Sequence, residues 1–194
     1  MGPIRREQIC RAAAAVIARE GFAGTTMRLV AEEAGVSTGM LNHYFANRQD
    51  LLTNALVWVS ERAHVRMVDA IDGIPPGRER MAALLGVVLG DEDEVVELWR
   101  IWINSYGEAV RLPGLRQQID TRLSGWFELV DHALEGLVPA DEPGGVPWSW
   151  RFDALLTGLA IRSMTAEGSL RLNQIRDGVI DVLLGNSTDL LTGA

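Results

Sequence analysis

The sequence predicts an all-α protein in which a compact N-terminal unit of short helices is followed by a larger helical bundle. Three observations carry that reading. Apolar residues recur at helical spacing through most of the chain, and no segment keeps the strict alternation of a half-buried strand. The strongest breakers are clustered rather than scattered, with Pro75, Pro76 and Gly77 in "DGIPPGRER" and the run "LVPADEPGGVP" over 137–147. No fixed-period repeat interrupts the pattern. A chain of 194 residues with 47% hydrophobic content also has ample material for a sizeable core.

Each element follows from a local signal. The first helix carries Ile9, Ala13, Val16 and Ile17, then Phe22, with Gly21 where a left-handed C-terminal residue is wanted. "TTMRLVAEEAG" opens with Thr25 and Thr26 as candidate caps, sets Leu29, Val30 and Ala34 on one side, and stops at Gly35. Ser37 caps a third helix, whose Met40, Leu41 and Phe45 are expected to turn inward. "ANRQDLL" leads into a long fourth helix through Leu52, Leu56, Val59, Ala63 and Met67. Beyond the proline break, helices are expected near 78–90, 92–111, 114–136, 148–168 and 172–185.

Charge is unevenly shared. From Met1 to Thr53 six arginines face five acids, a net +1; the remainder has twelve basic residues against twenty-one acids, a net −9. The less acidic end is therefore the one suited to a polyanionic partner. All 18 basic residues are arginine. No run of about 18 apolar residues appears, and "MGPIRREQICRAAAAVIARE" interrupts its apolar positions with charge too often for a secretory leader. The single Cys10 has no partner for an internal disulfide and reads as a small buried hydrophobe, which fits a reducing compartment. We expect a cytoplasmic protein without membrane association.

The stretch "AEEAGVSTGMLNHYF", Ala31 to Phe45, concentrates the chemistry. Two short helices joined by a tight turn at Gly35, the second starting at Ser37, have the form of a helix-turn-helix. The second helix of that motif lies in the DNA major groove, so its outward face must offer hydrogen-bonding groups to phosphates and base edges. Thr38, Asn42, His43 and Tyr44 are such groups, the helix N-terminus presents free N–H groups to a phosphate, and Gly39 lets the backbone come close. Val36, Leu41 and Phe45 have the spacing of the core beneath. A merely solvated polar helix is the plain alternative, since any two helices joined through glycine imitate the shape.

The resemblance goes further than shape. Residues from about 5 to 56 resemble the DNA-binding domain of the TetR family: Ile9 to Ala13, then "REGFAGTTMRLVAEEAGVSTGMLNHYFANRQDLL", with the Gly-Phe, Thr-Thr, Ala-Gly-Val-Ser, Tyr-Phe and Leu-Leu elements in family order and spacing. "GVSTGMLNHYF" is most similar to the BetI-like subgroup. The resemblance covers roughly a quarter of the chain. It implies a DNA-binding domain at 1–50 and an effector-binding and dimerisation domain at 51–194.

On the same basis the DNA-binding set is Thr26, Arg28, Ser37, Thr38, Gly39, Asn42, His43, Tyr44 and Arg48. Thr26 and Arg28 would contact a phosphate or a base edge. Thr38, Gly39 and Asn42 would face bases, His43 and Tyr44 would sit near the DNA backbone, and Arg48 would take a phosphate where most members have lysine. One departure matters: many members have tyrosine where this chain has Asn42, a shorter amide able to read adenine bidentately.

The family resemblance also implies a C-terminal domain that binds a small effector and forms a two-fold homodimer on a pseudo-palindromic double-stranded operator. "WSWRFDALLTGLAIRSMTAEG" and "LNQIRDGVIDVLLG" support this independently: both are apolar over more than one face, and Gly158 and Gly178 permit close approach, as a four-helix dimer interface needs. For the effector the candidates are aromatic. Trp99, Trp102, Ile103 and Tyr106 share one helix face, and Trp126 and Phe127 stand in the next long helix. Such a stripe is more often plain core. If Glu108 or Asp153 joins it, an aromatic or cationic small molecule becomes the expected ligand.

The acidic run Asp91 to Glu94 stands at a helix start, where carboxylates stabilise the dipole. His43, His64 and His132 lack metal-ligand spacing, and neither a nucleophile with its base nor a phosphate loop is found. We expect no cofactor, no metal and no catalysis. The sequence therefore reads as a ligand-responsive DNA-binding regulator, a repressor by family habit. Its rival is a helical small-molecule-binding or adaptor protein that never touches DNA.

Overall fold

The computed structural model describes residues 2–90, 92–140, 144–165 and 171–184. Asp91 of the acidic run and the expected helical positions 166–168 and 185 lie outside the described residues. Among those described, every regular element is a helix: α1 (Gly2–Gly24), α2 (Met27–Ala34), α3 (Thr38–Tyr44), α4 (Arg48–Ile71), α5 (Arg78–Val88), α6 (Asp93–Ala109), α7 (Pro113–Leu134), α8 (Trp148–Thr165) and α9 (Leu172–Leu184). None of them is long and apolar enough to cross a membrane.

The chain forms two compact units. The first takes in Met1–His64 and Val96–Leu123, the second Val65–Val95 and Ser124–Ala194. The division falls within α4, α6 and α7, so the first unit combines the N-terminal helices with a later stretch of chain.

In the first unit, α1 buries the stripe Ile9, Ala13, Val16 and Ile17 read from its spacing. The helix breaks at Gly21, whose φ of 70° and ψ of 172° are closed to residues with a side chain, and one further turn reaches Gly24. Thr25 is fully buried because it folds back on that break: its N–H and its hydroxyl both donate to Gly21 O, at 3.1 and 2.7 Å. Val30 of α2, Leu41 of α3, Phe45, and Leu51, Leu52, Ala55 and Leu56 of α4 close the core together with Ile101, Leu115 and Ile119. A seven-residue helix such as α3 is too short to persist alone. Burial of Leu41 and Phe45, each worth about 1.5–3 kcal/mol, holds it in place.

One expectation fails here. Met40 is 37% exposed instead of turned inward. The start of α3 at Ser37 fixes the phase, so Leu41 and Phe45, four residues apart, take the inner face and Met40 falls outside it.

In the second unit, Met81, Leu84, Leu85 and Val88 of α5 are buried, as are Val130, Ala133 and Leu134 of α7, Phe152, Leu156 and Ala160 of α8, and Leu172, Ile175 and Val179 of α9. Helix α9 packs on both α5 and α8. Trp150 and Leu155 of α8 stay exposed. At the start of α6, Asp93 and Glu94 occupy the first turn as the dipole argument requires.

Candidate functional site

Helices α2 and α3 are set by three local devices. Thr26 is the N-cap of α2, its side chain accepting from Leu29 N–H at 3.2 Å. Gly35 ends α2 in the left-handed region (φ 66°, ψ 33°), where its N–H returns to Glu32 O at 3.2 Å and the N–H of Val36 to Ala31 O at 3.0 Å. Ser37 then caps α3 by accepting from Met40 N–H at 3.2 Å. Of the two threonines read as candidate caps, only Thr26 caps; Thr25 is the buried clasp on Gly21.

The resulting surface presents Thr38, Gly39, Asn42 and His43 exposed along α3, beside exposed Thr26 and Arg28 at the start of α2. Tyr44 is half-buried against the core, and its ring meets the His43 ring edge-on with centroids 5.3 Å apart. Arg28 is exposed and pairs with Glu32 one turn on, at 2.6 Å. A pair so open to water holds together weakly, so Arg28 is free to exchange it for a phosphate.

Arg48 is engaged within the protein. Its Nε donates to Thr25 O at 2.5 Å and its Nη2 to Phe22 O, carbonyls just beyond and within the last turn of α1. The Phe22 carbonyl, in the last turn of α1, has no partner within the helix, and the guanidinium satisfies it as a C-terminal cap does, while also taking the Thr25 carbonyl just beyond. Arg48 thus ties α4 to α1.

The aromatic candidates divide between the two units. Trp99, Trp102, Ile103 and Tyr106 belong to the first. There Trp99 is buried, while Trp102 and Tyr106, 5.7 Å apart, pack on the core that the N-terminal helices share. Trp126 and Phe127 belong to the second unit. Trp126 donates from Nε1 to Asp153 Oδ1 at 2.8 Å and lies 6.3 Å from the Phe152 ring. Phe127 stacks on Trp150 at 5.5 Å. Burial pushes the Asp153 carboxyl above its ordinary value, against the opposing pull of the Trp126 hydrogen bond. Glu108 instead pairs with Arg111 at 3.3 Å. Phe152 and Trp150, whose rings pack on those of Trp126 and Phe127, come from "WSWRF", where three aromatics stand within five residues. Among the described residues no group of three His, Cys, Asp or Glu side chains could hold a metal ion.

A glycine turn between two short capped helices, the second anchored by its buried face and polar on its open one, defines a helix-turn-helix transcriptional regulator. The comparisons with known proteins agree. Residues 9–55 match the bacterial regulatory proteins of the tetR family, and residues 76–183 match the C-terminal domain of BetI-type transcriptional repressors. The chain belongs to the TetR family. It is 28% identical over 162 residues to the HTH-type transcriptional regulator BetI of Rhizobium meliloti (strain 1021), spanning 84% of this chain and 79% of that one. It is 35% identical to the regulator PksA of Bacillus subtilis (strain 168) over 99 residues, about half of each chain. Among solved structures, a TetR-family regulator from Rhodococcus sp. superposes with a TM-score of 0.80 at 28% identity, over 93% of this chain and 98% of that one. A regulator from Saccharomonospora viridis in complex with choline reaches the same TM-score at 22% identity, over 93% and 96%, a likeness of fold alone.

Proposed function

We propose that the protein is a homodimeric repressor that binds a pseudo-palindromic DNA operator and is released from it by a small-molecule effector. The observation that carries this reading is α3 itself: Leu41 and Phe45 are buried while Thr38, Gly39, Asn42 and His43 stay open to solvent, the division a groove-reading helix needs. Thr38 and Asn42 read base edges, with Asn42 suited to adenine; Thr26, Arg28, the α3 N-terminus at Ser37, and His43 and Tyr44 hold the DNA backbone. The DNA-contacting residues all lie within 1–50, and effector binding and dimerisation belong to 51–194, although part of that segment also completes the core beneath the reader. The chain works in the cytoplasm and catalyses nothing.

Dimerisation runs through α8 and α9, a role supported by the exposed apolar Trp150 and Leu155 on α8. The effector is a small cation. Support comes from the Asp153 carboxylate held beside Trp126 and Phe152, from the match to BetI-type repressors, and from the choline bound by the Saccharomonospora viridis regulator. The effector acts by population shift, favouring a dimer whose two α3 helices no longer match successive major grooves.

The test is selection of duplexes from a randomised library by the purified chain, followed by titration of the selected duplex with and without choline. Recovery of a two-fold symmetric motif, bound in a salt-sensitive manner and weakened by choline, is expected. Failure to enrich any motif refutes DNA reading and leaves the adaptor reading. A motif bound equally well with choline refutes the choline-type effector alone.

A further inference from the structure

Arg6 of α1 stands 38 residues from the end of α3 in sequence and beside it in space. Its Nη1 donates to Tyr44 O, the last carbonyl of α3, at 2.9 Å, and its guanidinium lies 4.7 Å from the centroid of the Phe45 ring. Its Nη2 donates to Asn54 Oδ1 of α4 at 2.8 Å. Asn54 in turn donates to Asp50 Oδ1 at 2.8 Å, and Asp50 Oδ2 accepts the N–H of Ala46 at 2.9 Å. Asn47 closes the start of α4 by accepting from Asp50 N–H at 2.9 Å. The relay thus begins and ends on the same three residues, Tyr44 to Ala46, where the chain leaves α3.

We propose that Arg6, Asn54 and Asp50 are positioning residues that fix the angle of α3 and so set its discrimination among DNA sequences. The inference rests on the reading of α3 as the DNA-contacting helix. Arg6 is the key member because it alone joins the exit of α3 to both α1 and α4. Both terminal nitrogens of its guanidinium donate within the protein, one to Tyr44 O and one to Asn54 Oδ1, so the side chain is held where it acts through the helix. Leu41 and Phe45 anchor the inner face of α3, but an apolar contact is non-directional and defines the angle of the helix less sharply than a hydrogen bond does. Directional, charge-assisted hydrogen bonds at one end supply that definition.

The experiment uses the full chain with Arg6→Lys, Arg6→Met and Asn54→Ala, each titrated on the selected duplex and on a scrambled one across a range of salt. Amide hydrogen exchange is followed at Phe45 and Ala46, and thermal unfolding checks that each variant is folded. Asn54→Ala is the decisive variant, since it breaks the relay without changing charge. We expect it and Arg6→Met to lower the ratio of selected to scrambled affinity about tenfold. Scrambled-duplex binding should change less than about twofold and Asn54→Ala should keep the wild-type salt slope. Phe45 and Ala46 should exchange faster, and Arg6→Lys, which retains one donor set, should recover part of the ratio. Equal loss on both duplexes in Arg6→Met, with a salt slope lower by about one and a silent Asn54→Ala, makes Arg6 a phosphate ligand and overturns the proposal. An unchanged ratio in both variants overturns it while DNA reading stands. A wild-type chain with no duplex preference refutes the DNA reading instead, and with it the proposal's role in discrimination.

Discussion

Two glycines in the first unit do the same job in sequence, ending a helix, yet their replacement by alanine should cost different amounts. Gly35 sits at φ 66°, ψ 33°, and a Cβ built there meets nothing within 4 Å. Its penalty is therefore conformational alone, about 1–2 kcal/mol for an L-residue in the left-handed region. The stiffer unfolded chain returns about 0.4–1 kcal/mol, so Gly35→Ala should cost a net ~1 kcal/mol. Gly21 sits at φ 70°, ψ 172°, a region essentially reserved for glycine and worth about 1–3 kcal/mol to a residue with a side chain. A Cβ there would also lie 2.8 Å from Asn104 Oδ1. At roughly 2–4 °C per kcal/mol for a chain of this size, thermal unfolding followed by circular dichroism should show a drop of about 2–4 °C for Gly35→Ala. The same return applies to Gly21, so Gly21→Ala should show the larger drop through its higher conformational range and the added contact with Asn104. Asparagine, which tolerates the left-handed region, should rescue position 35 and not position 21. Asn104→Ala in the Gly21→Ala background should restore only the steric share. Equal drops at the two glycines, or rescue by asparagine at both, would refute the reasoning.

Three further outcomes follow from the geometry. Asp153 has its carboxyl pushed up by burial, so its ionised form disfavours the fold: the stability it lends is complete below the ordinary carboxyl value of 3.8 and is lost as pH rises through the folded value. Asp153→Asn should therefore stabilise the protein at neutral pH, with the gain vanishing in acid, and urea titration at several pH values followed by tryptophan fluorescence checks the sign. Arg48→Ala should destabilise the first unit by roughly 1.5–3 kcal/mol, the range for hydrogen bonds from a charged group. Operator binding should keep its salt slope once measured at a temperature where the variant is folded. Cys10, 4% exposed and with its thiol pushed up to about 11, should resist a thiol reagent at neutral pH until the first unit opens, so that labelling tracks urea unfolding rather than reagent concentration.

Much of the fold was legible because it is written in short-range rules. The stops at Gly21 and Gly35 and the caps at Thr26 and Ser37 each depend on residues no more than four positions away. The division of α3 into buried Leu41 and Phe45 and exposed Thr38, Asn42 and His43 needs only helical periodicity. Met40 was misread because its side depends on the phase of the helix, which a seven-residue element with two plausible faces leaves open. Arg48 and Arg6 were harder for another reason. Their partners lie 23–26 and 38–48 residues away, and an arginine's sequence neighbours do not say which carbonyls will be brought beside it. The same holds for the aromatic stripe of α6: spacing showed that Trp99, Trp102 and Tyr106 share a face, but not that this face would meet the core of the N-terminal helices.

That shared core bears on modularity. Ile101, Leu115 and Ile119 complete the apolar interior around Ile9, Ile17, Leu41 and Phe45. A fragment cut after α4 would lose these three and expose the side chains they cover, and a piece of some sixty residues is already marginal in what it can bury. Anyone grafting this reader onto a foreign sensor should carry 96–123 along with 1–64. A chimera joined at residue 50 would transplant the words of the reading head without the grammar that keeps them in order.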